Sequence, residues 1–305
     1  LYFLFVMIPC LLLVLLLEFS GAISRTKVPP KRTPYKQNFG DESTRQEKFR
    51  ILSLSEDELE EHPLVMDRVT KYYRDVQALN QVTFGIREGE LLGLVGTVGS
   101  GKSTIFKVIN GQENVTTGDV YFWGSKIDHF TSYGTDIGHS PQNIGLPEYL
   151  SGRDAIQISG LIHGLHDKDI ENICNNTARY LGFTSSLNKD IRTYDVNAKR
   201  KLMLAMAVIG NTSLILLDQP TESCAPAVRM KIWDFIVHLN KTGRTILFSS
   251  ESIFECLQIC TRIVVIANGE ILSIGTPDDF KKNFQVGIDV TVKIKEGQRF
   301  FKADK

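Results

Sequence analysis

The segment Gly96-Thr-Val-Gly-Ser-Gly-Lys-Ser-Thr104 decides the fold. It reads G-x-x-x-x-G-K-S, the P-loop pattern, in which glycines let the chain wrap tightly so that successive backbone N–H groups face phosphate oxygens. Gly96, Gly99, Ser100, Gly101, Lys102, Ser103 and Thr104 are the candidate phosphate-binding residues. Lys102 supplies a point charge for the outer phosphates, and the Ser103 hydroxyl suits Mg²⁺. Leu91-Leu-Gly-Leu-Val95 in front is a short apolar run of the buried-strand type. Ile105-Phe-Lys-Val-Ile109 continues as a helix with a stop at Asn110-Gly111. Strand, glycine loop and helix in that order aim a helix N-terminus at phosphate.

Further along, Leu214-Ile-Leu-Leu-Asp218 places a carboxylate at the C-terminal edge of a buried strand, where Asp218 can hold the same Mg²⁺ as Ser103. Asn188-Lys-Asp-Ile191 and Asn240-Lys-Thr-Gly243 both fail the N-K-x-D pattern of a guanine site, so the nucleotide is not read as GTP.

Around these two elements, Leu64–Val69, Val82–Ile86, Gly118–Phe122 and Ile271–Ile274 read as strands. Thr135–His139, Thr245–Phe248 and Ile263–Ile266 suit a buried parallel sheet. Residues 143–209 are mainly helical in pattern, and further helices are expected over Ala225–Asn240 and Ile253–Cys260. The expected class is α/β: a P-loop ATPase with a parallel-sheet core, an antiparallel β subdomain and an α-helical subdomain. Lys plus Arg and Asp plus Glu both number 35, so bulk charge excludes a nucleic-acid binder driven by net charge. The five cysteines show no C-x-x-C pair or metal-ligand spacing and read as reduced, partly buried thiols.

Residues 1–17 are apolar throughout and span roughly 26 Å as a helix, against about 30 Å for a bilayer core. They are read as the end of a transmembrane helix over 1–20; a signal peptide, the competing reading, lacks a basic n-region. Arg25, Lys27, Lys31, Arg32 and Lys36 follow with no acidic residue between them, which places the next segment on the cytoplasmic side. The expected division is a linker over 21–62, a nucleotide-binding domain over 63–285, and the start of a further segment over 286–305, where Val290-Thr-Val-Lys-Ile294 alternates as a strand. Glu56–Glu61 reads as a solvated helix face. The chain starts with Leu, and it is read as a fragment of a longer protein.

Beyond the two phosphate motifs, the chain resembles the nucleotide-binding domains of ABC transporters, and more narrowly the second such domain of the subfamily A lipid transporters. The likeness rests on Arg50-Ile-Leu52, Val69-Thr-Lys-Tyr-Tyr73, Gly89 to Gly96, Ile137-Gly-His-Ser-Pro-Gln142, Leu150-Ser-Gly-Arg153, Lys199-Arg-Lys-Leu202, Glu255-Cys256 with Cys260-Thr-Arg262, and Ala267-Asn-Gly269, in the family's order. The resemblance implies that Tyr73 stacks on adenine, although Tyr72 rivals it and an interfacial role is the alternative. It implies that Gln142 meets the Mg²⁺ and the attacking water, and that the cofactors are ATP and Mg²⁺. The implied partners are a second nucleotide-binding domain, the membrane domains of the same transporter, and lipid. The domain itself is expected in the cytoplasm, beneath a multi-pass membrane protein.

Four positions depart from the family pattern. Gln219 stands where the family has the Glu that polarises water, and an amide cannot take a proton near neutral pH. Glu251 stands in place of the switch His, and its charge would repel a terminal phosphate. Ala225 replaces the D-loop Asp. The signature Y-S-G-G-x is Tyr194-Asp-Val-Asn-Ala198. Asp195 at about 5 Å would repel each unit of phosphate charge by roughly 3 kcal/mol at an effective dielectric near 20, yet Asp is as good an N-cap as Ser for the helix over Lys199–Val208. The expectation is therefore an ATP-binding domain of a lipid transporter with impaired hydrolysis. The alternatives are a non-hydrolytic regulatory or scaffold module, and a decayed fragment.

Overall fold

The computed structural model describes residues 41–127, 136–210 and 212–283. The chain forms α1 (Glu42–Leu52), α2 (Glu56–Glu60), β1 (Leu64–Tyr73), β2 (Val76–Ile86), β3 (Leu91–Val95), α3 (Lys102–Ile109), β4 (Thr117–Phe122), β5 (Ser125–Lys126) and β6 (Ile137–Ser140). It continues with α4 (Gly152–Ile162), α5 (Asp167–Leu181), α6 (Val196–Val208), β7 (Leu214–Asp218), α7 (Pro226–Lys241), β8 (Thr245–Ser250), α8 (Ile253–Ile259), β9 (Arg262–Ala267), β10 (Glu270–Gly275) and α9 (Pro277–Asn283).

Two sheets result. One is antiparallel, in the order β2-β1-β4-β5. The other runs β10-β9-β3-β8-β7-β6, all parallel except the β10 edge. A parallel sheet covered on both faces needs apolar side chains at every position, because successive residues point to opposite faces. Leu92, Leu94, Leu214, Leu216 and Leu247 enter one core with Phe84, Ile105 and Phe106. Their neighbours Leu91, Ile215, Leu217, Ile246 and Phe248 enter the other, with Leu202, Leu204 and Ile232 of the helices. At β3 the covering is so close that a Cβ on Gly93 would lie 2.7 Å from Cys260 Sγ and 2.9 Å from Cys256 Sγ. Cys174, Cys224, Cys256 and Cys260 are buried free thiols, and Cys10 lies outside the described residues.

The helical region is α4, α5 and α6. Asp195 caps α6, accepting from Ala198 N at 2.8 Å, so the helix begins at Val196, three residues before the run that its apolar pattern indicated. The two sheets are joined where Asn80 N donates to Gly269 O at 2.8 Å and Asn80 Nδ2 donates to Glu270 Oε1.

Helix α1 falls within the stretch assigned above to a linker, and it is packed. Glu47, 8% exposed, receives Arg50 Nη2 at 2.7 Å, Arg262 Nη2 at 3.0 Å and the backbone N–H of Gly85 at 3.2 Å. Packing against Gly85 and Arg262 thus reaches residues ahead of Pro63. Helix α2, closed by a Ser55–Glu58 capping box, has no buried residue and is the solvated charge run that its sequence indicated. Among the described residues no helix is long and apolar enough to cross a membrane. The helix expected over 1–20, the basic segment after it and the strand at 290–294 lie outside the described residues.

Candidate functional site: a phosphate-binding cavity at the C-terminal strand edge

Strand order decides what the site contains. Because β3, β8, β7 and β6 are adjacent and parallel, their C-terminal ends lie side by side. β3 leads into the Gly96–Thr104 loop, β6 ends two residues before Gln142, β7 ends at Asp218 with Gln219 next, and β8 ends just before Glu251. A cavity of about 160 Å³ is lined by Gly99, Gly101, Lys102, Ser103, Thr104, Gln142, Gln219 and Glu251, together with Ala78 and Val98.

The loop has the geometry its glycines predict. Gly99 and Gly101 adopt φ of +77° and +110°, and a Cβ on Gly96 would lie 2.4 Å from the Ile266 carbonyl oxygen. Gly101 precedes helix α3 as an N-cap with no side chain to bond, so the first-turn N–H groups of Lys102, Ser103 and Thr104, residues that line the cavity, lack intrahelical partners. Lys102 is 4% exposed, and its Nζ donates to the carbonyls of Gly96 (2.6 Å) and Thr97 (2.9 Å). Burial pushes its pKa below the ordinary lysine value, while the carboxylates of Glu251 and then Asp218 act in the opposite direction.

From Ser103 a chain of side chains crosses the cavity. Ser103 Oγ lies 3.5 Å from Gln142 Oε1, Gln142 Nε2 donates to Gln219 Oε1 at 3.2 Å, and Gln219 Nε2 donates to Glu251 Oε1 at 3.3 Å. Gln219 is 7% exposed and holds the left-handed φ of +50°, uncommon for a residue with a side chain. Ser249 braces this turn: its hydroxyl accepts from Gln219 N at 2.9 Å and donates to Asp218 Oδ1 at 2.6 Å. The hydroxyl of Ser103 and the amide oxygen of Gln142 line the cavity, and the carboxylate of Asp218 lies outside its lining, 4% exposed and with Oδ1 accepting from Ser249; these are hard oxygens of the kind Mg²⁺ takes. A bound Mg²⁺ would neutralise charge on the phosphates the loop holds. Neither Gln219 nor Ser249 can serve as a base near neutral pH; Glu251 is the carboxylate in the far wall.

Tyr73 does not line this cavity. It ends β1 with Lys71 Nζ 5.0 Å from its ring centroid, and its buried hydroxyl is directed at Thr104, which does line the cavity. Burial raises the pKa of that phenol. Its rival Tyr72 is held through its backbone N–H, which donates to Thr116 Oγ1 at 3.0 Å.

In the segment 194–198, Tyr194 is buried, Asp195 and Val196 are exposed, and Asn197 is bonded within its own domain. Asn197 Oδ1 accepts from Ala225 N at 3.0 Å, joining two of the departing positions, and Asn197 Nδ2 donates to Asp195 Oδ2 at 3.0 Å. The Asn197 hydrogen bond, then that of Ala198 N, holds the Asp195 carboxyl below the usual aspartate range. Arg200 and Ser249 bond to Gln142 and Gln219 from outside the cavity lining, as Asn197 does to Ala225, and sequence reasoning left all three without a role. For Arg200 a signal existed, a cation two residues ahead of the run Leu202–Val208 of a helix that had to be buried.

A wrapped glycine loop feeding a helix, with a strand-ending aspartate beside it in a parallel sheet, defines a P-loop nucleotide-binding cassette. Residues 79–222 match the ABC transporter family. The phospholipid-transporting ATPase ABCA3 of Homo sapiens is 31% identical over 264 residues, 85% of this chain and 16% of its own. The retinal-specific phospholipid-transporting ATPase ABCA4 of Bos taurus is 31% identical over 287 residues, 93% of this chain and 12% of its own. In fold, the chain is similar to a dimeric bacterial ABC transporter cassette (TM-score 0.66, 22% identity, 70% of this chain and 98% of that one). It is also similar to a nucleotide-free ATP-binding cassette from an ABC transporter (TM-score 0.64, 21% identity, 73% and 94%). The chain belongs to the ABC transporter family, and these curated relatives are of its subfamily A. It spans about a sixth or less of their length.

Proposed function

We propose that this chain is the ATP-binding cassette of a subfamily A type membrane transporter that binds ATP with Mg²⁺ and hydrolyses it poorly at its own site. Phospholipid transport, the activity for which the ABCA3 and ABCA4 relatives are named, is the activity proposed for the whole transporter. The cassette would work on the cytoplasmic face, closing against a second nucleotide-binding domain and passing the movement to membrane domains. One observation carries the reading. Lys102 and Ser103 line the cavity and Asp218 ends β7 beside Gln219, the residue types a magnesium–phosphate group calls for, while the facing wall consists of Gln142, Gln219 and Glu251, with Gln219 hydrogen-bonded to both of the others.

The second reading, a non-hydrolytic ATP-dependent clamp, draws support from the bond between Asn197 and Ala225, which engages the signature segment within its own domain. A fluorescent ATP analogue titrated into the full chain, with phosphate release followed in parallel and with a competent partner cassette added, tests both. Binding with slow turnover supports the first reading, and binding with no turnover even beside the partner supports the clamp. Failure to bind, or brisk turnover by this site, overturns the proposal.

A further inference from the structure

We infer that Arg200 is a positioning residue that sets the Mg²⁺ dependence of nucleotide binding by pinning the backbone of Gln142. The inference rests on the nucleotide-binding reading above and goes beyond it.

Arg200 is 5% exposed in the second turn of α6, beside the buried Leu202, Met203 and Leu204. An arginine so placed is retained against the cost of desolvating a guanidinium only if its donors are well used. Nη1 donates to the carbonyl oxygen of Gln142 at 2.7 Å, and Nη2 donates to Glu222 Oε2 at 3.1 Å. Nε is buried with no partner, so the side chain is oriented by its two terminal contacts alone. Both contacts belong to the site. Gln142 carries its amide oxygen toward Ser103 and its amide N–H₂ toward Gln219. Glu222 follows Gln219 in the turn after β7, and Glu222 N donates to Gln219 O at 3.1 Å.

One turn earlier on α6, Asn197 grips Ala225 N. The start of α6 therefore ties the loop after β6 and the turn after β7 into one unit. With the carbonyl of Gln142 pinned, the position of its amide oxygen is restricted to what its own side-chain torsions allow. Mg²⁺ demands near-ideal octahedral oxygen geometry. Partners that orient a ligand from behind typically cost 10–100-fold in metal affinity when removed.

The test is Mg²⁺ titration of ATP binding by the full chain, with ATP binding in excess chelator as the reference. R200M is expected to raise the Mg²⁺ concentration for half-maximal binding about tenfold, and to leave metal-free ATP binding within about twofold of wild type. Q142A should give a similar shift, and R200M/Q142A no more than either alone, because both act through one oxygen. An unchanged Mg²⁺ dependence, equal losses with and without metal, or additive shifts would each overturn the assignment. If R200M does not fold, R200Q, whose amide is too short to span both partners, carries the same readout. A wild-type chain that binds no ATP in either condition removes the nucleotide reading itself, and with it this inference.

Discussion

Gln142 donates through Nε2 to Gln219 Oε1 across 3.2 Å, joining the loop after β6 to the turn after β7 over the mouth of the phosphate loop. The two residues are 77 apart in sequence and meet because β6 and β7 are neighbours in the parallel sheet. An amide can donate to one partner and accept from another, and Gln219 does both, accepting from Gln142 and donating to Glu251. The wall of the cavity is thereby self-satisfied without a proton acceptor at position 219.

Restoring hydrolysis should need two changes. Q219E alone would put two carboxylates about where the Gln219–Glu251 hydrogen bond now spans 3.3 Å, and their repulsion would displace one of them. Q219E/E251H removes the second carboxylate and leaves a carboxylate base beside the loop. In an assembled transporter, the double variant should release phosphate faster than wild type by a factor within the ~10²–10⁴ range of general-base effects, and Q219E alone by less. Phosphate release that is unchanged in the double variant counts against Gln219 as the lesion.

The P-loop backbone tolerates no side chain at Gly96. In G96A the new Cβ would press on the carbonyl of Ile266 and on Ser100 Oγ, both at 2.4 Å, so the loop or β9 must shift. Such overpacking typically costs about 1–3 kcal/mol. ATP binding measured by analogue fluorescence should be lost, and thermal unfolding should occur at lower temperature. Wild-type affinity in G96A would contradict the loop geometry.

Asp195 should act as a helix cap. Its side chain accepts from Ala198 N at 2.8 Å, so D195A is expected to destabilise the domain by about 1 kcal/mol in urea unfolding, and D195S to be nearly neutral. The folded-state pKa of Asp195 is lowered, by Asn197 first and Ala198 next. A carboxylate of lowered pKa contributes stability above the ordinary aspartate range and loses it as pH falls through the folded value. The gap between D195A and wild type should therefore narrow in acid, whereas a gap independent of pH would point to packing.

Glu47 tests whether α1 belongs to the cassette. Burial raises its pKa, but the Arg50 hydrogen bond and the charges of Arg262 and Arg50 outweigh it, and the net shift is downward. E47A removes one carboxylate partner of Arg262 and leaves it with Glu90 at 3.1 Å and the Gly85 carbonyl at 2.8 Å. Breaking a buried pair costs about 3–5 kcal/mol, and with Glu90 retained the lower end is expected in chemical denaturation. The wild-type contribution should fade as pH falls through the lowered Glu47 value, giving E47A a flatter acid-unfolding profile. A loss under about 0.5 kcal/mol would mean that α1 is an appendage.

Some of this was legible along the chain because it is local. A glycine loop between an apolar run and a helix needs only torsional freedom and backbone N–H groups, so Gly96–Thr104 could be read directly. The apolar runs of β3, β7, β8 and β9 announce a sheet covered on both faces. Asp195 is a cap by virtue of its own side chain and the next three residues. The replacements at Gln219, Glu251, Ala225 and Asp195–Asn197 are likewise plain in the one-dimensional text.

The rest required the packed chain. That residues 41–52 pack at all depended on Glu47 meeting Arg262, 215 residues away, and a helix so rich in charge gives no notice of that. Arg200 reads as one cation in a basic triplet until strand order brings the Gln142 carbonyl within 2.7 Å. The left-handed turn at Gln219 exists because Ser249 on β8 holds both its N–H and the carboxylate of Asp218. Local chemistry marks where phosphate can be gripped. The order of parallel strands, set by burial on both faces, chooses which distant side chains stand opposite that grip.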